Sequence, residues 1–149
     1  MSKLLFSFIN PKIEAMTMEY LSSPSECIRI PKGKEKQSLM ITFGLHSLPG
    51  KAISIYSSIY AAGMKVPVNT AKAGDGGAHT LRATLLPDGM GVFLMAMEAN
   101  DVVFEGDGMY EIDLRIFPAD EKPSKDNEID SLRNFFLVLT SEGEQDGSK

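Results

Sequence analysis

Glu105-Gly106-Asp107-Gly108-Met109-Tyr110-Glu111-Ile112-Asp113-Leu114-Arg115-Ile116-Phe117 is the stretch whose reading decides the fold of this chain. Its head, two glycines flanking an aspartate, carries turn chemistry. Its body alternates Tyr110, Ile112, Leu114 and Ile116 with Glu111, Asp113 and Arg115. A period of two puts the first set on a buried strand face and the second on a wet one.

The same pattern recurs to either side. Downstream, Pro118 to Ser131 reads as a long polar connection and Phe135 to Leu139 as a last apolar strand, followed by a tail from Ser141 to Lys149. Upstream, Asn100-Asp101 reads as a turn before Val102-Val103-Phe104, and Val92 to Met97 as a strand apolar on both sides. Pro87-Asp88-Gly89 then implies a hairpin with the strand in which Leu81, Ala83 and Leu85 alternate with Thr80, Arg82 and Thr84. Asn69 to Gly77 has no bulky apolar residue and reads as a mobile surface loop, with Met64 to Val68 before it as a short edge strand limited by Pro67.

Residues 51–62 leave two readings open. Ile53, Ile55 and Ile59 opposite Tyr56 and Tyr60 suit a strand, while Ile53, Tyr56 and Tyr60 with a terminal Gly63 suit a helix. Leu48-Pro49-Gly50-Lys51 is a type II turn signal, and Leu39, Ile41, Phe43 and Leu45, apolar neighbours included, read as a central strand. Toward the start lie a lysine-bearing loop at 32–36, a short strand from Cys27 to Ile30 stopped by Pro31, an alternating strand from Ile13 to Tyr20, and a first strand over Leu4 to Ile9.

Nine or ten short strands at even spacing, with no persuasive amphipathic helix, define an all-β chain: a single antiparallel β-sandwich over residues 1–140 with a flexible tail over 141–149. At 149 residues the chain is large enough for one core. Its one cysteine excludes an intrachain disulfide. A net charge of -5 argues against nucleic acid and anionic membrane surfaces as partners. The apolar run at Leu4 ends too early for a signal peptide, and the expected location is cytoplasmic.

Gly106-Asp107-Gly108-Met109-Tyr110-Glu111-Ile112 resembles the tyrosine-corner segment of immunoglobulin-like β-sandwiches. That resemblance implies that Gly108 and Tyr110 are structural corner residues, the tyrosine opening a strand and returning its hydroxyl to nearby backbone. It departs from antibody-type domains at Ile112, where those carry a cysteine, and in the absence of tryptophan.

Little in the chain points to chemistry. Gly44 to Lys51 is one residue too long for a phosphate loop and carries Ala52 in place of Ser or Thr, and Gly74-Asp75-Gly76-Gly77 lacks a flanking strand and helix. His46 and His79 stand 33 positions apart without metal-ligand spacing, and Cys27 reads as a buried inert thiol. Glu98, Asp101, Glu105 and Asp107 cluster in sequence and leave calcium as a minor reading. Tyr56 and Tyr60 are the candidate ligand-facing aromatics. No catalytic residue, cofactor or metal is expected. The functional expectation is a non-catalytic binding or assembly module that contacts a protein partner, or a second copy of itself, through loops or strand edges. A small-molecule or carbohydrate-binding barrel or jelly roll is the alternative.

Overall fold

A computed structural model describes residues 2–14, 17–21, 23–25, 27–31, 36–47, 52–72, 79–85 and 91–141. Its elements are β1 (Lys3–Pro11), the helical turn α1 (Met18–Leu21), β2 (Ile28–Pro31), β3 (Lys36–Ser47), β4 (Ile53–Ala61), β5 (Asn69–Lys72), β6 (His79–Leu85), β7 (Gly91–Val103), β8 (Gly108–Pro118) and β9 (Asp130–Ser141). They form a four-stranded sheet in the order β1-β3-β7-β6 and a five-stranded sheet in the order β2-β9-β8-β4-β5. All neighbours are antiparallel except β2, which runs parallel to β9.

The two sheets pack face to face as a sandwich, and alternation explains why. Leu39, Ile41, Phe43 and Leu45 of β3 point inward to meet Ile55 and Ile59 of β4 and Ile112, Leu114 and Ile116 of β8 in one core. Phe43, Ile41, Ile59 and Leu114 are fully buried, so the centre between the sheets is filled with side chains. β3 lies between β1 and β7, a central strand, and its partly apolar outer face is covered as well. There Leu21 of α1 packs on Met40 and Ala96, while the Thr42 hydroxyl donates to Leu21 O at 2.9 Å. Phe6 lies over Gly44, where an added Cβ would come within 3.0 Å of its ring.

Several local expectations give way. The stretch Ile13 to Tyr20 is not a strand over its described part: Thr17 accepts from Tyr20 N through its hydroxyl (3.1 Å) and from Leu21 N through its carbonyl (3.0 Å), capping α1. Tyr20 packs instead beside Leu21 against Met40 and Ala96 on the outer sheet face. Within 51–62, Ile53–Ala61 is a strand, β4, with partners on both sides in β8 and β5. Asn69 to Lys72 is that second partner rather than loop, whereas residues 73–77 lie outside the described residues. Met64 to Val68 forms no strand; Gly63, at φ 83°, turns the chain, with Met64 N bonded to Ala61 O at 2.9 Å.

Asn100-Asp101 does not end its strand. β7 runs on to Val103 through a bulge, with Asp101 at φ 52° and the register slipping between Leu39↔Ala99 and Gln37↔Val102. β9 begins at Asp130, so the polar connection after β8 stops short of Ser131. β2 starts at Ile28, leaving Cys27 just outside it and half-buried rather than buried. Lys36 opens β3, and the rest of the lysine loop at 32–36 lies outside the described residues. So do the turn at 48–51, the turn at 87–89 and the tail beyond 141. The strands on either side of 87–89, β6 and β7, pair antiparallel as a hairpin. No helix among the described residues is long and apolar enough to cross a membrane.

Candidate functional site

The chain crosses from one sheet to the other between β7 and β8. Gly106 (φ 140°) and Gly108 (φ 135°) adopt a backbone that other residues take only under strain. Tyr110 follows, buried to 3% exposure, its ring edge-on to Phe104 at 4.9 Å and beside Phe136 at 5.9 Å. Its hydroxyl accepts from Glu105 N and donates to Gly106 O, each at 3.0 Å. From within β8 the Tyr110 hydroxyl is thus bonded to the backbone of the crossing at Glu105 and Gly106. Asp107, exposed beside them, accepts from Thr140 N at 2.6 Å, and hydrogen bonds from the Thr140 side chain and backbone hold its carboxyl below the usual range.

By starting β8 where it does, the crossing sets which side chains reach the outer face of the five-stranded sheet. Tyr56, Ser58 and Tyr60 of β4 stand in register with Arg115, Asp113 and Glu111 of β8. These in turn stand opposite Ser131, Arg133 and Phe135 of β9. Across strands the face thus reads as three rows: Tyr60–Glu111–Phe135, Ser58–Asp113–Arg133 and Tyr56–Arg115–Ser131. Beyond the first row lies Met109, opposite Leu137. Met109 and Phe135 are 48% and 58% exposed, and at the far end Tyr56 meets Phe117 edge-on at 5.7 Å.

The middle of the face is a charge network. Arg115 donates to Asp113 Oδ2 from two nitrogens, at 3.1 and 2.9 Å, and to Glu128 Oε1 at 3.0 Å. Arg133 pairs with Glu111 at 2.8 Å and lies 3.9 Å from Asp113. Its bonds to Asp113 above all hold the Arg115 guanidinium above its ordinary pKa. Buried Asp113, on an otherwise solvent-directed face, is tolerated because of these partners.

A second feature lies where the sheets meet at β1. The free edge of β1 is bonded by side chains of β9: Leu4 N donates to Asp130 Oδ2 at 2.8 Å, and Asn134 Nδ2 donates to Ser7 O and Oγ at 3.0 and 2.6 Å. Next to this seam a cavity of about 220 Å³ is lined by residues including Ser7, Ser25, Cys27, Asn134 and Phe136. Sequence reasoning passed over Asn134. A polar residue at an inward position between Leu132 and Phe136 was the available signal, because such a group needs a partner.

The other sequence candidates separate. Glu98 ion-pairs with Lys12 at 2.7 Å on the opposite sheet, away from Asp107. His46 sits in β3 and His79 in β6, strands with β7 between them. Among the described residues no three His, Cys, Asp or Glu side chains gather into a set that could hold a metal ion. The chain matches no protein-family model and no curated protein.

Proposed function

We propose that this chain is an immunoglobulin-like sandwich acting as a cytoplasmic, non-catalytic binding module whose ligand is another protein. The sheet order supports the architectural part. Taking β1, β3, β7 and β6 as strands A, B, E and D, β9, β8, β4 and β5 as G, F, C and C′, and β2 as a second half of strand A gives a sheet order that supports this reading. The Tyr110 hydroxyl bonds fall at the start of strand F, after the E–F crossing. Ile112 stands where an antibody-type domain has its second cysteine, so aliphatic packing replaces the bridge.

The observation that carries the functional part is the outer face of the five-stranded sheet. Exposed Met109 and Phe135 lie at one end of an ion-paired network of two arginines and three carboxylates, the apolar-with-polar composition of protein interfaces. For the alternative, a small-molecule or carbohydrate-binding barrel or jelly roll, the seam cavity is a candidate site among the described residues. Its volume of about 220 Å³ falls below the roughly 300–1,000 Å³ of drug-sized pockets. A photo-crosslinking amino acid placed at Phe135 tests the reading in native cells. Discrete protein adducts at 135, absent when the probe stands at Asp120 in the connection after β8, are expected. No adduct at 135 would refute the reading.

A further inference from the structure

We infer that the seam cavity beside β1 binds a neutral primary carboxamide carried on a short apolar stem. The site goes beyond the protein-binding reading above: it is a recess at the edge of β1 and not an exposed sheet face.

The main chain of β1 supplies the first reason. In an antiparallel pair, residues bonded to the partner strand alternate with residues whose N–H and C=O point away from it. Lys12 N donates to Ser38 O, and Asn10, Phe8 and Phe6 follow at two-residue intervals as the positions bonded to β3. Ser7, Ile9 and Pro11 therefore direct their main-chain groups to the free edge. Two of them are met there by side chains, Ser7 O by Asn134 Nδ2 at 3.0 Å and Pro11 O by the Tyr20 hydroxyl. Ile9, buried and in the cavity wall, keeps an N–H and a C=O without a partner among the described residues. Buried main-chain groups are almost always paired, so this position calls for a ligand that both donates and accepts.

The side chains beside Ile9 narrow the chemistry. Both amide hydrogens of Asn134 go to Ser7, to its O and its Oγ, which leaves the Asn134 oxygen as an acceptor. Ser25 Oγ donates to Asn10 Oδ1 and likewise keeps acceptor capacity. Ser7 Oγ accepts from Asn134 and keeps its own hydrogen to donate. A primary carboxamide, with two N–H donors and a carbonyl acceptor, matches this set. A carboxylate has no hydrogen for Asn134 or Ser25, and an ammonium has no acceptor for Ile9 N–H. Among the described residues that line the cavity none is charged, so an ion of either sign would be buried without a counter-charge. Ile28, Ile112 and Phe136 form an apolar wall suited to a hydrocarbon stem. At a water's share of about 30 Å³, the cavity of about 220 Å³ has room for about seven non-hydrogen atoms, enough for butyramide. The carboxamide has two sources: a free small amide, or an asparagine or glutamine side chain of a protein seated at Phe135, which also lines the cavity.

Titrating the isotope-labelled full chain with butyramide to about 100 mM, read by backbone amide chemical shifts, tests this in the weak range expected of so small a ligand. Saturable shifts are expected at Ser7 to Ile9, at Cys27 and Ile28, and at Asn134 to Phe136. Butyrate and n-butylammonium are expected to bind at least about tenfold more weakly. Cys27→Leu, verified as folded by thermal melting, narrows the recess while leaving Ser7, Ile9, Ser25 and Asn134 in place, and is expected to weaken butyramide by about the same factor. Lys125→Glu, in the connection after β8, is expected to leave it unchanged. No saturable shifts, an equal response to all three probes, or unchanged binding in Cys27→Leu would each overturn the inference. Competition separates the sources. In a lysate, butyramide that suppresses protein adducts at 135 assigns the carboxamide to a side chain of the partner, and adducts indifferent to butyramide assign the site to a free amide. A butyramide site in a chain that gives no adducts at 135 would remove the protein-binding reading alone.

Discussion

Replacing Tyr110 by phenylalanine isolates the crossing between the sheets, because the ring stays and only the hydroxyl goes. The edge contact with Phe104 at 4.9 Å and the contact with Phe136 at 5.9 Å are retained. What is lost is a bond from Glu105 N and a bond to Gly106 O, each at 3.0 Å and part-buried. A net intramolecular hydrogen bond contributes about 0.5–1.5 kcal/mol, so two of them set the expected loss at about 1–3 kcal/mol. Partial burial lets water reach the freed amide and carbonyl, which places the value in the lower half of that range. Urea unfolding of wild type and variant measures it, with a lower midpoint and an unchanged slope expected. For a chain of this size the same loss lowers the melting temperature by about 2–4 °C per kcal/mol. A loss below about 0.5 kcal/mol at unchanged slope would refute the reasoning, since it falls under the contribution of even one such bond.

Two further predictions concern single polar groups. Ser57 is fully buried on the inner face of β4 and its hydroxyl has no hydrogen-bond partner among the described residues, so Ser57→Ala is expected to raise stability by about 1 kcal/mol. A comparable loss in the same urea assay would show that the hydroxyl is satisfied after all. Asp107 has its pKa lowered from 3.8 by the Thr140 hydrogen bonds, so its stabilising contribution is fully present above pH 3.8 and is lost as pH falls through the depressed value. The stability difference between wild type and Asp107→Ala is therefore expected to be constant at neutral pH and to shrink below pH 3.8. A difference that stays level through acid unfolding would contradict the assigned hydrogen bonds.

The outer face of the five-stranded sheet shows how far a sequence pattern reaches before tertiary structure is required. Alternation in β8 separates Tyr110, Ile112, Leu114 and Ile116 from Glu111, Asp113 and Arg115 without reference to any other strand. It does not say which residues stand beside Glu111. Tyr60 and Phe135 lie far from it in sequence, on flanking strands, and only the register brings the three into one row. Tyr56 and Tyr60 were visible as an aromatic pair, whereas Phe135 read simply as part of an apolar strand until its 58% exposure placed it outside the core. Ile13 to Tyr20 misleads for a related reason. Its alternation is genuine, but the Thr17 cap and the apolar outer face offered by Met40 and Ala96 favour a helical turn that seats Leu21 there.

By itself the sequence determined the class and the crossing. Period-two alternation, turn chemistry between strands and the absence of a helical stripe leave few ways to bury the apolar residues except between two sheets. The glycines at 106 and 108 and the tyrosine at 110 determine a local conformation, because backbone torsion and a hydroxyl within five residues of its partners are short-range matters. Tertiary structure alone decided the sheet order, the parallel pairing of β2 with β9, the side-chain bonding of the β1 edge by Asp130 and Asn134, and the rows of the outer face. These depend on contacts between residues tens of positions apart. Their free energy is realised only when the whole core closes, and no local pattern encodes it.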